Sequence, residues 1–114
     1  MSSCLFCQIV EKKRPSRVVY EDDHAFAFED VNPQAPVHIL IVPRRHVAGL
    51  EHASQDDQHM LGHILLVAQK IAREKGIHKS GYRLLVNQGP NAGQSVLHIH
   101  FHLLGGRVLD WPPG

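Results

Sequence analysis

Apolar residues along this 114-residue chain recur with two periods, and the changes of period divide it into elements. Leu5, Phe6, Ile9 and Val10 form a helical stripe. They predict a short helix over residues 3–12, capped by Ser2 or Ser3 and ended by Pro15. Residues 18–20 and 24–28 read as the strands of a β-hairpin, with Glu21, Asp22 and Asp23 as its turn. An ordered loop with two prolines follows at 29–36. Residues 37–42 are almost wholly apolar and predict a central strand, closed by Pro43. A short helical turn is expected at 47–51. Ser54 and Asp57 resemble a capping box that opens the main helix, about 55–75. Its buried face is expected to comprise Leu61, Ile64, Leu65, Ala68, Ile71 and Ala72. Arg73 and Lys75 fall in its last turn, and Gly76 suits the cap. Residues 81–87 predict a further strand.

The last strand is the unusual one. From Leu97 to Leu103, histidine alternates strictly with apolar residues. At the strand period His98, His100 and His102 share one face, while Leu97, Ile99, Phe101 and Leu103 share the other. Residues two apart on a strand lie roughly 6.5–7 Å from each other, so three rings can converge on one small anion. With 10 histidines in the chain, some fall together by chance, and a wet strand face can carry them as plain polar residues. The strict alternation favours a functional group of three. The preceding loop, residues 88–95, carries two glycines, side-chain amides and a serine hydroxyl. Glycine lets backbone approach a ligand closely, and successive N–H groups can cradle an anion.

Composition narrows the class. Hydrophobic residues make up 43% and charged residues 20%, which fits one globular domain over 1–114. A net charge of +1 argues against a general electrostatic nucleic-acid binder. No apolar run approaches the length of a membrane span, and the N-terminus lacks the pattern of a secretory signal. A cytoplasmic location is expected, where Cys4 and Cys7 stay reduced.

Several residues have both a plain and a chemical reading. The C-x-x-C pair Cys4 and Cys7 suits a metal, a redox dithiol or two buried thiols; redox fits worst, because no βαβ context surrounds it. A metal there needs two more ligands from distant histidines. Asp30 either caps its own loop or bonds a sugar diol. His38 gains a chemical role only if its strand lies beside the histidine-rich one. Arg44 and Arg45 read as a solvated bend or as phosphate-side charge, and His46 as a possible metal ligand. His59 and His63 are four apart on the main helix. They lack an H-E-x-x-H pattern and read as surface residues. The tail, 105–114, ends in a rigid apolar knob around Trp111 that needs a covering surface, from this chain or a second subunit.

The run His98-Ile99-His100-Phe101-His102-Leu103-Leu104 matches the histidine-triad motif, and the chain resembles the histidine triad nucleotide-binding branch of the histidine triad (HIT) superfamily. Tyr20-Glu21-Asp22-Asp23, Asp30 with Pro33-Gln34-Ala35-Pro36, Gly93-Gln94-Ser95, Gly105-Gly106-Arg107 and Trp111-Pro112-Pro113-Gly114 extend the likeness over essentially the whole chain. The resemblance implies an α+β, HIT-like fold. A five-stranded antiparallel sheet carries a short N-terminal helix and one long helix, and two subunits form a homodimer. It implies His100 as nucleophile, assisted by His98, His102, His38 and Ser95. It places Asn87, Gly93, Gln94 and Ser95 at the phosphate, Asp30 at the ribose, and Phe6, Ile9, Phe28, Val31 and Leu40 around the base. It also sends the tail, with Trp111, toward the partner's site. Many bacterial relatives with this C-x-x-C bind structural zinc, which implies Cys4, Cys7, His46 and His98 as ligands. If His98 holds zinc, only its other nitrogen is left for the phosphate side.

The implied substrates are purine nucleoside 5′-phosphoramidates, or aminoacyl adenylates, cleaved at the α-phosphorus to release AMP or GMP. His100 must keep one nitrogen bare for attack, and its other N–H needs a carbonyl acceptor. No catalytic metal is required by this scheme. Two other readings stand beside it. One is a dinucleoside polyphosphate hydrolase, and the other a non-catalytic nucleotide-binding regulator or scaffold.

Overall fold

Two stretches carry apolar residues on both strand faces, and both lie inside the sheet. In the computed structural model, which describes residues 3–114, these are β2 (Ala25–Glu29) and β3 (Val37–Pro43). The other strands are β1 (Val18–Glu21), β4 (Tyr82–Val86) and β5 (Phe101–Gly105). The sheet is antiparallel throughout, in the order β1-β2-β3-β5-β4. β3 is therefore central and lies beside the histidine-bearing strand, the condition that gives His38 a chemical role.

The two faces bury different partners. Ala25, Ala27, Ile39, Ile41, Phe101 and Leu103 pack under the long helix α2 (Gln58–Glu74). Phe26, Phe28, Leu40 and Val42 pack under the short helix α1 (Leu5–Val10), against Phe6, Ile9 and Val10. Because side chains alternate, His38 and His102 emerge on the α1 side. Register places Leu40 opposite His102. No helix among the described residues is long and apolar enough to cross a membrane.

Local expectations are corrected in four places. First, Cys4 caps α1, its sulfur accepting from Cys7 N–H at 3.5 Å; Ser2 lies outside the described residues. The helix ends at Val10, before Pro15, and Lys12 has a positive φ of 61°. Second, the capping box of Ser54 and Asp57 is present, but it opens a 3₁₀ turn (Gln55–Asp57) that runs on into α2. Third, Leu65 is 50% exposed and Val67 is buried in its place. Ile64, Val67, Ala68, Ile71 and Ala72 form one i, i+3, i+4 stripe, and Leu65 lies one step off it. Fourth, β5 begins only at Phe101. The chain bends over 96–98, and Leu97 is 67% exposed instead of joining Ile99 in the core. Ile99 N–H donates to the Val47 carbonyl (2.6 Å), which holds this segment outside the ladder.

Candidate active site and metal centre

The three histidines differ in every contact. His100 is buried, and its Nδ1 lies 2.8 Å from the His98 carbonyl. A carbonyl only accepts, so Nδ1 carries the proton and Nε2 keeps a bare lone pair. The Phe6 ring stands edge-on to His100, centres 5.0 Å apart. The tautomer of His100 and its ring plane are thus both fixed from outside the ring.

His102 belongs to a second chain of bonds. Gln34 N–H donates to His38 Nδ1 (3.0 Å), so the His38 proton sits on Nε2. That proton faces His102 Nδ1 at 2.9 Å and Asp30 Oδ2 at 3.3 Å. His102 Nδ1 then accepts, leaving its Nε2–H as a donor. Burial, with the charges of His100 and His38 beside it, pushes the His102 pKa down to about 4 against a weaker pull from Asp30. Burial also lowers His38, opposed by Asp30. Both rings are therefore neutral at physiological pH, and one carboxylate anchors the pair. Asp30 Oδ1 meanwhile accepts from Asn32 N–H (2.8 Å), so this residue does cap its own loop.

His100 and His102 open on a cavity of ≈ 400 Å³ whose lining includes Phe6, Ile9, Phe28, Val31 and Leu40, together with Asp30 and Ser95. All five residues expected around a base thus stand in one concavity with two of the three histidines. Asn87 follows Val86, whose partner across the ladder is Phe101, so it comes level with His100. Gly93 has φ +81°, which only glycine adopts cheaply. The loop's donors are largely used internally. Gly93 N–H goes to Pro90 O and Gln94 N–H to Gly89 O. The Gln94 amide bonds Gly89 N–H, Ala48 O and Val96 O. Gln94 therefore braces the loop, and Ser95 is the loop residue that lines the cavity. Trp111, 80% exposed, lies under Arg83 and away from this chain's cavity. Arg44 bonds Glu21 and Arg45 bonds Asp57.

His98 is fully buried and turned away from the cavity. Its Nε2 lies 2.9 Å from Pro43 O, which puts the proton there and leaves Nδ1 bare. Burial keeps the ring neutral, the Pro43 bond working against that and the His46 and His100 charges adding to it. Nδ1 points at Cys4 Sγ (3.5 Å), Cys7 Sγ (3.5 Å) and His46 Nδ1 (3.2 Å), and Cys7 Sγ lies 3.4 Å from His46 Nδ1. All four donor atoms fall within 4.8 Å of one another. Zinc bonds to sulfur at roughly 2.3 Å and to nitrogen at roughly 2.05 Å, so a tetrahedron has S···N edges near ~3.5 Å and an N···N edge near ~3.4 Å. The spacing and the donor set both fit that ion. Neither His98 nitrogen remains for a phosphate.

Two contacts escaped sequence reasoning because backbone makes them: the Gln34 N–H under His38 and the Pro43 carbonyl under His98. A third, Asp22 Oδ2 on His63 Nε2 at 2.6 Å, joins residues 41 apart and leaves no local trace.

Comparison with known proteins gives one consistent result. The model of the HIT domain family matches residues 11–109. An uncharacterised HIT-like protein of Synechococcus elongatus is 50% identical over 110 residues, 96% of each chain. Among solved structures, a HIT family hydrolase from Legionella pneumophila is 47% identical, with a TM-score of 0.97 over 98% of this chain and 100% of the other. A histidine triad nucleotide-binding protein from Candida albicans is 34% identical, with a TM-score of 0.83 over 96% of this chain and 83% of the other.

Proposed function

The chain belongs to the HIT domain family, and from that premise we propose that it hydrolyses purine nucleoside 5′-phosphoramidates, and aminoacyl adenylates, releasing AMP or GMP. One observation carries the reading. His100 Nδ1–H is tied to the His98 carbonyl, so its Nε2 lone pair is free beside a cavity with an apolar floor.

The reaction takes two displacements. His100 Nε2 attacks the α-phosphorus, and the bond to the leaving amine or carboxylate breaks. A nucleotidyl-histidine remains. His102 Nε2–H meets the charge that builds on the phosphoryl oxygens, and Ser95 stands beside it at the leaving-group side. Ser95 O–H gives its proton to the leaving group, and the water that attacks phosphorus and frees His100 returns a proton to Ser95. The base packs among Phe6, Ile9, Phe28, Val31 and Leu40, with Asp30 near enough to both His38 and the cavity to take a ribose hydroxyl. Asn87, Gly93 and Gln94 shape the phosphate side, Gln94 by holding its loop. His98 acts through its carbonyl.

Zinc held by Cys4, Cys7, His46 and His98 supplies a structural crosslink between α1 and the segments at 46 and 98. A homodimer completes the assembly, with the tail of one subunit, including Trp111, reaching toward the other's cavity. The exposed apolar surface of Trp111 and Val108 supports this.

The test is His100→Ala assayed with an adenosine 5′-phosphoramidate. A folded variant without turnover is expected, and full residual activity removes the nucleophile assignment. Diadenosine polyphosphate, run in the same panel, separates the sister hydrolase: its faster cleavage by the unaltered protein overturns the phosphoramidate reading.

A further inference from the structure

Another histidine group lies outside the cavity. His59 and His63 sit one turn apart on α2, and His24 meets them from the turn between β1 and β2. Ring centres are 6.4 Å apart for His59 and His63, 6.3 Å for His24 and His59, and 6.1 Å for His24 and His63. The triangle is nearly equilateral. Its centre lies roughly 3.6 Å from each ring centre, and a metal bonded to an imidazole nitrogen at about 2.0–2.1 Å sits roughly 3.2 Å from the ring centre. The three rings do not yet bring their nitrogens within 4.8 Å of one another; His24 and His59 are exposed, and both turn to close the site.

The third ring is already oriented. Asp22 Oδ2 lies 2.6 Å from His63 Nε2 and accepts Tyr20 O–H at 2.6 Å, while Oδ1 accepts the N–H groups of His24 and Ala25 at 2.8 Å each. A carboxylate oxygen accepts, so His63 donates from Nε2 and Nδ1 is the nitrogen left to face a metal. A carboxylate behind an imidazole is the usual support of a metal-binding histidine. The neighbouring Arg44 directs its guanidinium to Glu21 at 3.0 Å, which balances its charge.

We propose that His24, His59 and His63 form a surface site for a late first-row divalent cation such as Zn²⁺, Cu²⁺ or Ni²⁺, separate from the cysteine-containing centre. Imidazole donors suit these ions. The site ties the β1–β2 hairpin to α2. No general base accompanies it, so its effect is on shape and stability.

Ni²⁺ titrated into the full-length protein, with zinc already supplied at the cysteine centre, tests this. The expected result is one Ni²⁺ per chain, no zinc release, and paramagnetic broadening strongest at the ring protons of His24, His59 and His63 and fading with distance from them. His59→Ala and His24→Ala, both at exposed positions, lose the binding. Asp22→Asn weakens it about tenfold, and His52→Ala and His78→Ala leave it intact. Absent binding, Ni²⁺ uptake matched by zinc release, or uptake that survives the His24→Ala/His59→Ala pair overturns the proposal.

Discussion

His102 should make the stability of this protein depend on pH in one defined window. In the folded chain burial, reinforced by the charges of His100 and His38, holds its pKa down to about 4; in an unfolded chain a histidine titrates near ~6.5. Between those values the unfolded chain binds more protons than the folded one. The unfolding free energy therefore rises with pH across the window and levels off above about pH 6.5. The whole interval corresponds to about 3 kcal/mol, and solvent screening of a half-buried ring reduces it to about 2 kcal/mol. Urea unfolding between pH 4.5 and 7.5 measures it, with His102→Gln as reference. Glutamine keeps an acceptor for His38 Nε2–H and does not titrate, so the difference between the two profiles removes the carboxylates and metal ligands that titrate in both. The wild type should lose about 2 kcal/mol more than the variant on acidification. Parallel profiles, or a ring-proton NMR titration of His102 centred near pH 6.5, refute the buried neutral donor on which the proposed phosphate contact depends.

Two further outcomes follow from the neighbours of His98 and His100. Cys7→Ser removes the sulfur that faces both His46 (3.4 Å) and His98 (3.5 Å). Elemental analysis should fall from about one zinc per chain to near none, and kcat should drop about tenfold with KM little changed, because the His98 carbonyl that aims His100 loses its anchor. Unchanged kcat in metal-free protein uncouples the centre from His100. Phe6→Ala empties a buried position that touches Phe28 and His100 edge-on, at 5.5 and 5.0 Å. It should cost about 3–5 kcal/mol in denaturant unfolding; a loss under about 1 kcal/mol shows that α1 contributes little to the fold.

Periodicity sufficed where an element's burial, on one face or on two, repeats with its own backbone. The α2 stripe, the hairpin and the doubly apolar β3 could be read because each buried face follows the geometry of its own backbone. Where burial depends on a distant element, the pattern misleads. Leu97 continues the alternation of Ile99 and Phe101, yet the chain has already turned away from the sheet there. Cys4 caps α1 although serine precedes it, because its sulfur is already drawn toward His98 from 94 residues away. His63 looks like any surface histidine on a helix until Asp22, in a hairpin turn, is seen to hold it. The residues around the cavity follow from the family resemblance; neither the spacing of Phe6 and Leu40 nor their hydrophobicity distinguishes a base-binding wall from ordinary core.

The motif's own regularity conceals how unequal its histidines are. Extended backbone keeps a period of two whether or not it is paired, so Ile99 and Phe101 both reach the α2 core while β5 begins only at Phe101. That short unpaired stretch is what separates the three rings. His102 lies in the ladder opposite Leu40 and faces His38. His98 lies before the ladder, is drawn under Pro43, and offers its remaining nitrogen to two thiols and His46. A fully buried neutral ring with both nitrogens engaged is difficult to displace, and its carbonyl is the acceptor for His100 Nδ1–H. His100 is thus oriented by main chain whose position is set by a metal-type cluster facing away from the cavity. The unpaired bend at 96–98 allows one strand-like run to serve two sites.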